Sequence, residues 1–202
     1  MYSLPRPAIG VLALQGAFAA HQQRLAELDV ASIQVRRPAD LDGLHGLVMP
    51  GGESTTMSML LTSSELFDPI AERIHDGLAV LGTCAGMILL AREVLDGRSD
   101  QRCLGAIDLV VRRNGYGRQL DSFECDLALR SGRPDEPPFH GVFIRAPKVE
   151  AWGAGVEVLA EHEGVPVLAR QRRITVASFH PELTRDARVH AEFVHHLEME
   201  SS

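Results

Sequence analysis

Long apolar runs are missing from this 202-residue chain. No stretch approaches the roughly 20 consecutive apolar residues that a membrane-spanning helix needs, so no membrane partner is expected. The first residues, MYSLPRPAIG, lack the charged start, apolar run and small-residue cleavage site of a secretory signal. A cytoplasmic protein is therefore expected. Positive charge is also in short supply: 20 Lys and Arg stand against 27 Asp and Glu, for a net charge of −7, with no basic stripe. Nucleic acid is accordingly not an expected partner. Cysteine is scarce. Cys84, Cys103 and Cys125 form no CxxC pair and no zinc spacing, and an odd number without a secretion signal argues against a disulfide framework. The nine histidines include no HExxH pattern. His195 and His196 stand beside Glu198 and Glu200 in a C-terminal segment that reads as a solvated helix face. Internal repeats, low-complexity tracts and linkers are absent as well, so residues 1–202 are expected to form a single domain large enough for a sizeable core.

What the chain does have is alternation. AIGVLAL reads as a buried strand, and AFAAHQQRLAEL as a helix with Phe18, Leu25 and Leu28 on one face. ASIQVRR and LHGLVMPGG are further strands. A helical stretch follows from Thr55, in which Pro69 opens a second helix. LAVLG is a fourth strand, and AGMILLAREVL a helix ending near Gly97. The second half reads as strands, in CLGAIDLVVRR, FECDLALR, HGVFIRAP and VEVLAEHEGVPVLARQRRITVASF, with turns at HEGV and QRR. RSGRPDEPP is a polar loop, and a final helix runs from about Asp186 to Met199. The expected fold is a three-layer α/β/α domain around a mixed, largely parallel sheet.

Three segments carry chemistry. In LAVLGTCAGMILL, the pattern Gly82-x-Cys84-x-Gly86 stands between strand and helix. This is the thiol form of a nucleophile elbow, with small neighbours to relieve a tight turn. Unpaired N–H groups at a helix N-terminus favour a thiolate, and the N–H of Ala85 is available to an oxyanion. The alternative is a small thiol buried in an apolar segment. In VASFHPELT, Pro181 keeps His180 extended, and residues two apart on an extended chain share a side. Glu182 is thus expected to hold one ring nitrogen of His180 while the other faces Cys84; the alternative is a polar strand exit. In LVMPGGESTTM, Gly51 and Gly52 offer backbone N–H groups that can complete an oxyanion hole, and Glu53 and Ser54 offer polar groups to a substrate. A turn with Ser54 or Thr55 capping the next helix reads equally well.

Taken together, GVLALQGAFAAH, PGGESTTM, GTCAGMILLA, RNGYGRQLDSFE, GVFIRAP and SFHPELT resemble the class I glutamine amidotransferases, and most narrowly the glutaminases of pyridoxal 5'-phosphate (vitamin B6) biosynthesis. The resemblance spans nearly the whole chain. It implies a flavodoxin-like fold and hydrolysis of L-glutamine to L-glutamate and ammonia through a γ-glutamyl thioester on Cys84, with His180 and Glu182 as relay partners. It implies glutamine contacts from Gly52, Glu53, Ser54, Arg118, Ile144 and Arg145, with Gly52 and Ala85 forming the oxyanion hole. A free amino acid needs a cation for its carboxylate and an anion for its ammonium; Arg118 or Arg145 and Glu53 suit those roles. The implied partner is a (β/α)8-barrel synthase subunit in a large hetero-oligomer, whose docking orders the PGGES loop; the helix starting near Phe18 with its QGAFAAH lead is the candidate docking surface. No metal or organic cofactor is implied, pyridoxal phosphate being the product of the complex. The readings left open are a glutaminase of another pathway, such as histidine biosynthesis, a non-catalytic domain of the same fold, and a general cysteine hydrolase.

Overall fold

Short apolar segments build a seven-stranded sheet. The computed structural model describes residues 7–116, 122–133 and 135–200. β1 (Ile9–Leu12), β2 (Ser32–Val35), β3 (Gly46–Met49) and β4 (Ala79–Thr83) run parallel, and far down the chain β12 (Ile174–Ala177) returns to lie parallel beside β4. β10 (Glu157–His162) and β11 (Val165–Gln171) add an antiparallel edge, giving the order β10-β11-β12-β4-β3-β1-β2. β1, β3, β4 and β12 are buried along their whole length, as strands covered on both faces must be.

Alternate residues serve opposite layers. Val48 and Leu81 face a cluster with Leu25 of α1 (Phe18–Glu27), Phe193 of α5 (Arg188–Glu200), and Phe139 and Phe143 of the hairpin β7 (Ser122–Leu127)–β8 (Phe139–Ile144). Met49 and Val80 face a second cluster with residues of α2 (Ser54–Ser63), α3 (Phe67–His75) and α4 (Ala85–Leu90). That cluster extends into a small sheet of β5 (Ala91–Val94), β6 (Ile107–Arg112) and β9 (Lys148–Trp152). The three-layer expectation holds, and Pro69 sits in the first turn of α3, where its missing N–H costs nothing. Among the described residues no helix is long and apolar enough to cross a membrane.

Three local expectations change. The helix after Cys84 stops at Leu90; Ala91 turns extended (φ −61°, ψ 150°), and Ala91–Val94 pairs with β6 as β5. Pairing outweighs the helix preference of Ala-Arg-Glu, which is only a weak local bias. KVEAW is a strand, β9, paired with β6. The buried face of α1 centres on His21, Arg24 and Leu25 rather than on Phe18 and Leu28.

Candidate active site

The parallel strands deliver three loops to one edge of the sheet. Met49 pairs with Gly82, and Ala177 with Thr83. The residues that follow each strand therefore leave side by side at the C-terminal end, where open α/β sheets bind ligands. They are Pro50–Gly52 after β3, Cys84 after β4 and Ser178–His180 after β12.

Cys84 occupies a backbone conformation that side chains seldom adopt, φ 49° and ψ −102°. Such strain costs about 1–3 kcal/mol and persists only where the surroundings enforce it. Here its N–H donates to the carbonyl of Ala177 (2.8 Å), and its own carbonyl accepts from Ile88 N–H (3.2 Å), the first bond of α4. Gly86 lets the elbow close: a Cβ there would stand 2.2 Å from the carbonyl oxygen of Met49. The sulfur lies 3.8 Å from the carbonyl oxygen of Ile144, and Cys84 is free of any disulfide. The tight turn between strand and helix is as expected, and Cys84 is also largely buried. Burial pushes the Cys103 and Cys125 thiols up, as befits inert cysteines.

His180 lines the pocket together with Cys84, and its Nδ1 stands 2.8 Å from Glu182 Oε1. The alignment is not that of an extended chain. His180 has φ −107° and ψ 85°, and Pro181–Leu183 forms a single 3-10 turn that swings Glu182 back under the ring. Its N–H donates to Val142 of β8 (2.8 Å), which fixes the exit from β12. Burial opposes a charged imidazole, but the bonds and charges of Cys84 and Glu182 prevail and lift His180 to about 10. Burial likewise opposes the Glu182 carboxylate, and the bond to His180 with the neighbouring His21 outweighs it, leaving Glu182 below the usual range.

Gly51 stands tight against His180 and Cys84. A Cβ at this position would lie 2.4 Å from His180 Cε1 and 3.3 Å from Cys84 Cβ. Gly51→Ala should therefore push the imidazole off the sulfur and lower turnover about a hundredfold, the scale of a 1 Å misplacement. Steady-state kinetics check this, and unchanged turnover would show that the ring has room to shift. Gly52 follows against the Gln15 side chain, whose Nε2 would be 2.7 Å from a Cβ at Gly52.

A pocket of about 240 Å³ opens over these groups, lined by Gly52, Glu53, Ser54, Cys84, Ile144, Arg145 and His180, with Ile88, Arg113 and Asn114. Ala85, named from the sequence for the oxyanion hole, is fully buried at the start of α4 and is not among the lining residues. Of the residues named from the sequence, Arg118 lies outside the described residues. Among the described residues two cations line this pocket: Arg145, expected from the sequence, and Arg113, which was not. The Arg113 guanidinium donates to Glu53 Oε1 (3.1 Å), Thr55 Oγ1 (2.9 Å) and Gln101 Oε1 (3.3 Å). Glu53, not Ser54 or Thr55, caps α2, accepting from the N–H groups of Thr55 and Thr56. Partial burial works upward on Glu53, but the Thr56 and Thr55 bonds and the Arg113 charge hold it down to about 2.

Residues 11–199 match the SNO glutamine amidotransferase family. Pyridoxal 5'-phosphate synthase subunit PdxT of Frankia alni is 52% identical over 188 residues, covering 93% of this chain and 94% of that protein. The protein of the same name from Streptomyces griseus is 54% identical over 188 residues, with the same two coverages. A crystal structure of a glutamine amidotransferase, 44% identical, matches with a TM-score of 0.87 over 94% of this chain and 98% of that one. A glutamine amidotransferase from Thermotoga maritima, 12% identical, shares the fold with a TM-score of 0.58 over 98% of this chain and 86% of that one. The chain belongs to the SNO glutamine amidotransferase family.

Proposed function

We propose that this chain is the glutaminase subunit of a pyridoxal 5'-phosphate synthase, hydrolysing glutamine at Cys84 and passing the ammonia to a synthase subunit. The observation that carries the reading is the meeting of Cys84, His180 and Glu182 at the floor of a pocket whose wall bears a cation and an anion. A nucleophile, a base and an orienting carboxylate in that order are what acyl transfer from an amide requires.

The thiolate of Cys84 attacks the side-chain amide carbon of glutamine, and the carbonyl electron pair moves onto oxygen. The N–H of Ala85, in the unbonded first turn of α4, and that of Gly52 receive the oxyanion. His180, protonated at neutral pH in this setting, gives its proton to the amide nitrogen, the C–N bond breaks, and ammonia leaves a thioester on Cys84. Water then loses a proton to His180 and attacks the thioester, releasing glutamate and restoring the thiolate–imidazolium pair.

At the far end of the pocket, Arg113 receives the α-carboxylate and Glu53 the α-ammonium, each already held by its neighbours. Arg113→Met should raise KM for glutamine about tenfold or more, since a hydrogen bond to a charged group contributes roughly 1.5–3 kcal/mol. It should change kcat less, because the lost contact is with a part of the substrate that does not react. A KM equal to that of the parent chain would move the carboxylate site elsewhere.

Free ammonia in neutral water is mostly protonated and no longer nucleophilic, so a glutaminase that feeds a synthesis gains by docking on its acceptor. A (β/α)8-barrel synthase subunit in a large hetero-oligomer is the proposed partner. The deciding experiment is a glutaminase assay with and without that subunit, followed by mass spectrometry for a covalent adduct at Cys84. No glutamate release in either arm would overturn the reading.

A further inference from the structure

The helix α1 turns a polar side to the core. His21 on α1 and His190 on α5 are both 0% exposed, and they lie directly behind Glu182. His21 Nε2 stands 3.4 Å from Glu182 Oε2 and 3.2 Å from Thr83 Oγ1, while His21 Nδ1 is 2.9 Å from His190 Nε2. The other oxygen of Glu182 is committed to His180. Oε2 is buried and makes no formed hydrogen bond among the described residues. Its contact with His21 is at ion-pair range, longer than a good hydrogen bond; such bonds are often loose before substrate binds and tighten afterwards.

The contacts dictate where the protons sit. Burial pushes His21 down to about 4, against the pull of the Glu182 charge and with the help of His180. Burial first, then the repulsion that a protonated His21 would add and the Arg24 charge, put His190 well below its usual range. Each ring is therefore neutral at pH 7 and carries one N–H. A proton on His21 Nδ1 would aim the bare Nε2 lone pair at a buried carboxylate oxygen, two acceptors with nothing between them. A proton on Nε2 instead offers an N–H to both Oε2 and Thr83 Oγ1 and leaves Nδ1 as the acceptor. His190 Nε2 must then be the donor, which leaves His190 Nδ1 as a bare acceptor. That atom has no partner among the described residues, as suits a lone pair better than a buried orphan N–H. Arg24, one turn on from His21, donates to the carbonyl of Thr184 (2.9 Å), tying the same helix to the segment that carries Glu182.

We propose that His21 is a positioning residue for glutamine hydrolysis: its Nε2–H steadies the second oxygen of Glu182, and His190 locks the tautomer that makes this possible. The inference rests on the glutaminase reading. A carboxylate held from both sides keeps the His180 ring aimed at the sulfur: His190 donates to His21, and His21 and His180 both donate to Glu182.

The test pairs kinetics with a spectrum. His21→Phe keeps bulk and loses the donor; His21→Gln puts an amide N–H near the position of Nε2. With the synthase subunit present, His21→Phe should lose about ten- to a hundredfold in kcat, the usual cost of removing a partner that orients a catalytic group, at unchanged KM for glutamine. His21→Gln should recover most of that loss. In the unaltered chain, nitrogen–proton correlation spectra should show His21 as the neutral Nε2–H tautomer. An Nδ1–H tautomer, a His21→Phe protein with full kcat, or a Gln variant no better than Phe at equal thermal stability would each overturn the proposal. The spectrum decides it even where His21→Phe does not fold. An unaltered chain that releases no glutamate beside the synthase subunit would instead bring down the glutaminase reading, and the positioning role with it.

Discussion

Cys84→Ala should abolish glutamate release and leave the fold and the docking of a synthase subunit intact. The elbow is held by main-chain bonds, Cys84 N–H to Ala177 and Ile88 N–H to the Cys84 carbonyl, and neither uses the sulfur. Alanine has the same Cβ, so the strained φ of 49° is no harder to hold than before. The loss in rate is total within assay limits, because no other nucleophile takes the place of the sulfur. Removing one member of a unit of this kind costs about four to six orders of magnitude. A second signature accompanies it. The bond and charge of Cys84 are among the causes that lift His180 to about 10, so the imidazole titrates lower in the variant. Glutamate assay, thermal unfolding, co-purification and histidine NMR together check these outcomes. Turnover retained in Cys84→Ala would remove this residue from the mechanism.

The parts of the site that announce themselves in the sequence are those set by short-range constraints. Gly82-x-Cys84-x-Gly86 between an apolar run and a helix leaves few conformations open, and Gly86 is tight against Met49 for that reason. His180-Pro181-Glu182 is similar: the pairing of histidine and carboxylate was legible, although the structure achieves it through a 3-10 turn and not an extended strand. The sheet order was half legible. Alternation of strand and helix points to a parallel core, but the return of β12 to the side of β4, which brings His180 to Cys84, is a long-range pairing with no local signature.

Arg113 and His21 were not legible from local pattern alone. Between Arg112 and Arg113, the residue that reaches the pocket is decided by where β6 ends. Arg112 is the last strand residue and turns outward to Glu150 (2.9 Å), so the next residue turns toward Glu53. That alternation is a usable signal once the strand boundary is known. His21 and Arg24 fall where a helical wheel assigns polar residues to solvent, yet they form the buried side of α1 because Glu182, Thr184 and His190 supply partners from distant parts of the chain. The β5 strand escaped for a related reason: Ala-Arg-Glu-Val continues a good helix until β6 offers it a ladder.

His180→Asn should lower kcat by about four to six orders of magnitude and change KM for glutamine little. Asparagine is the informative replacement because it separates two jobs of the ring. Its amide N–H can still donate toward Glu182 Oε1, the role now filled by Nδ1 at 2.8 Å, so the buried carboxylate keeps a partner on that side. It cannot reach the sulfur with a titratable nitrogen, so no group protonates the leaving amide or activates water. The charged side chains proposed to hold the α-carboxylate and α-ammonium, Arg113 and Glu53, are fixed by their own partners and not by the ring. Steady-state kinetics and an alkylation rate at Cys84 distinguish the outcomes: alkylation slows because the imidazolium that stabilises the thiolate is gone, while glutamine still protects the sulfur. A loss of only a few-fold in kcat would mean that the proton travels through some other group, and the chain from Glu182 to Cys84 would lose its catalytic meaning.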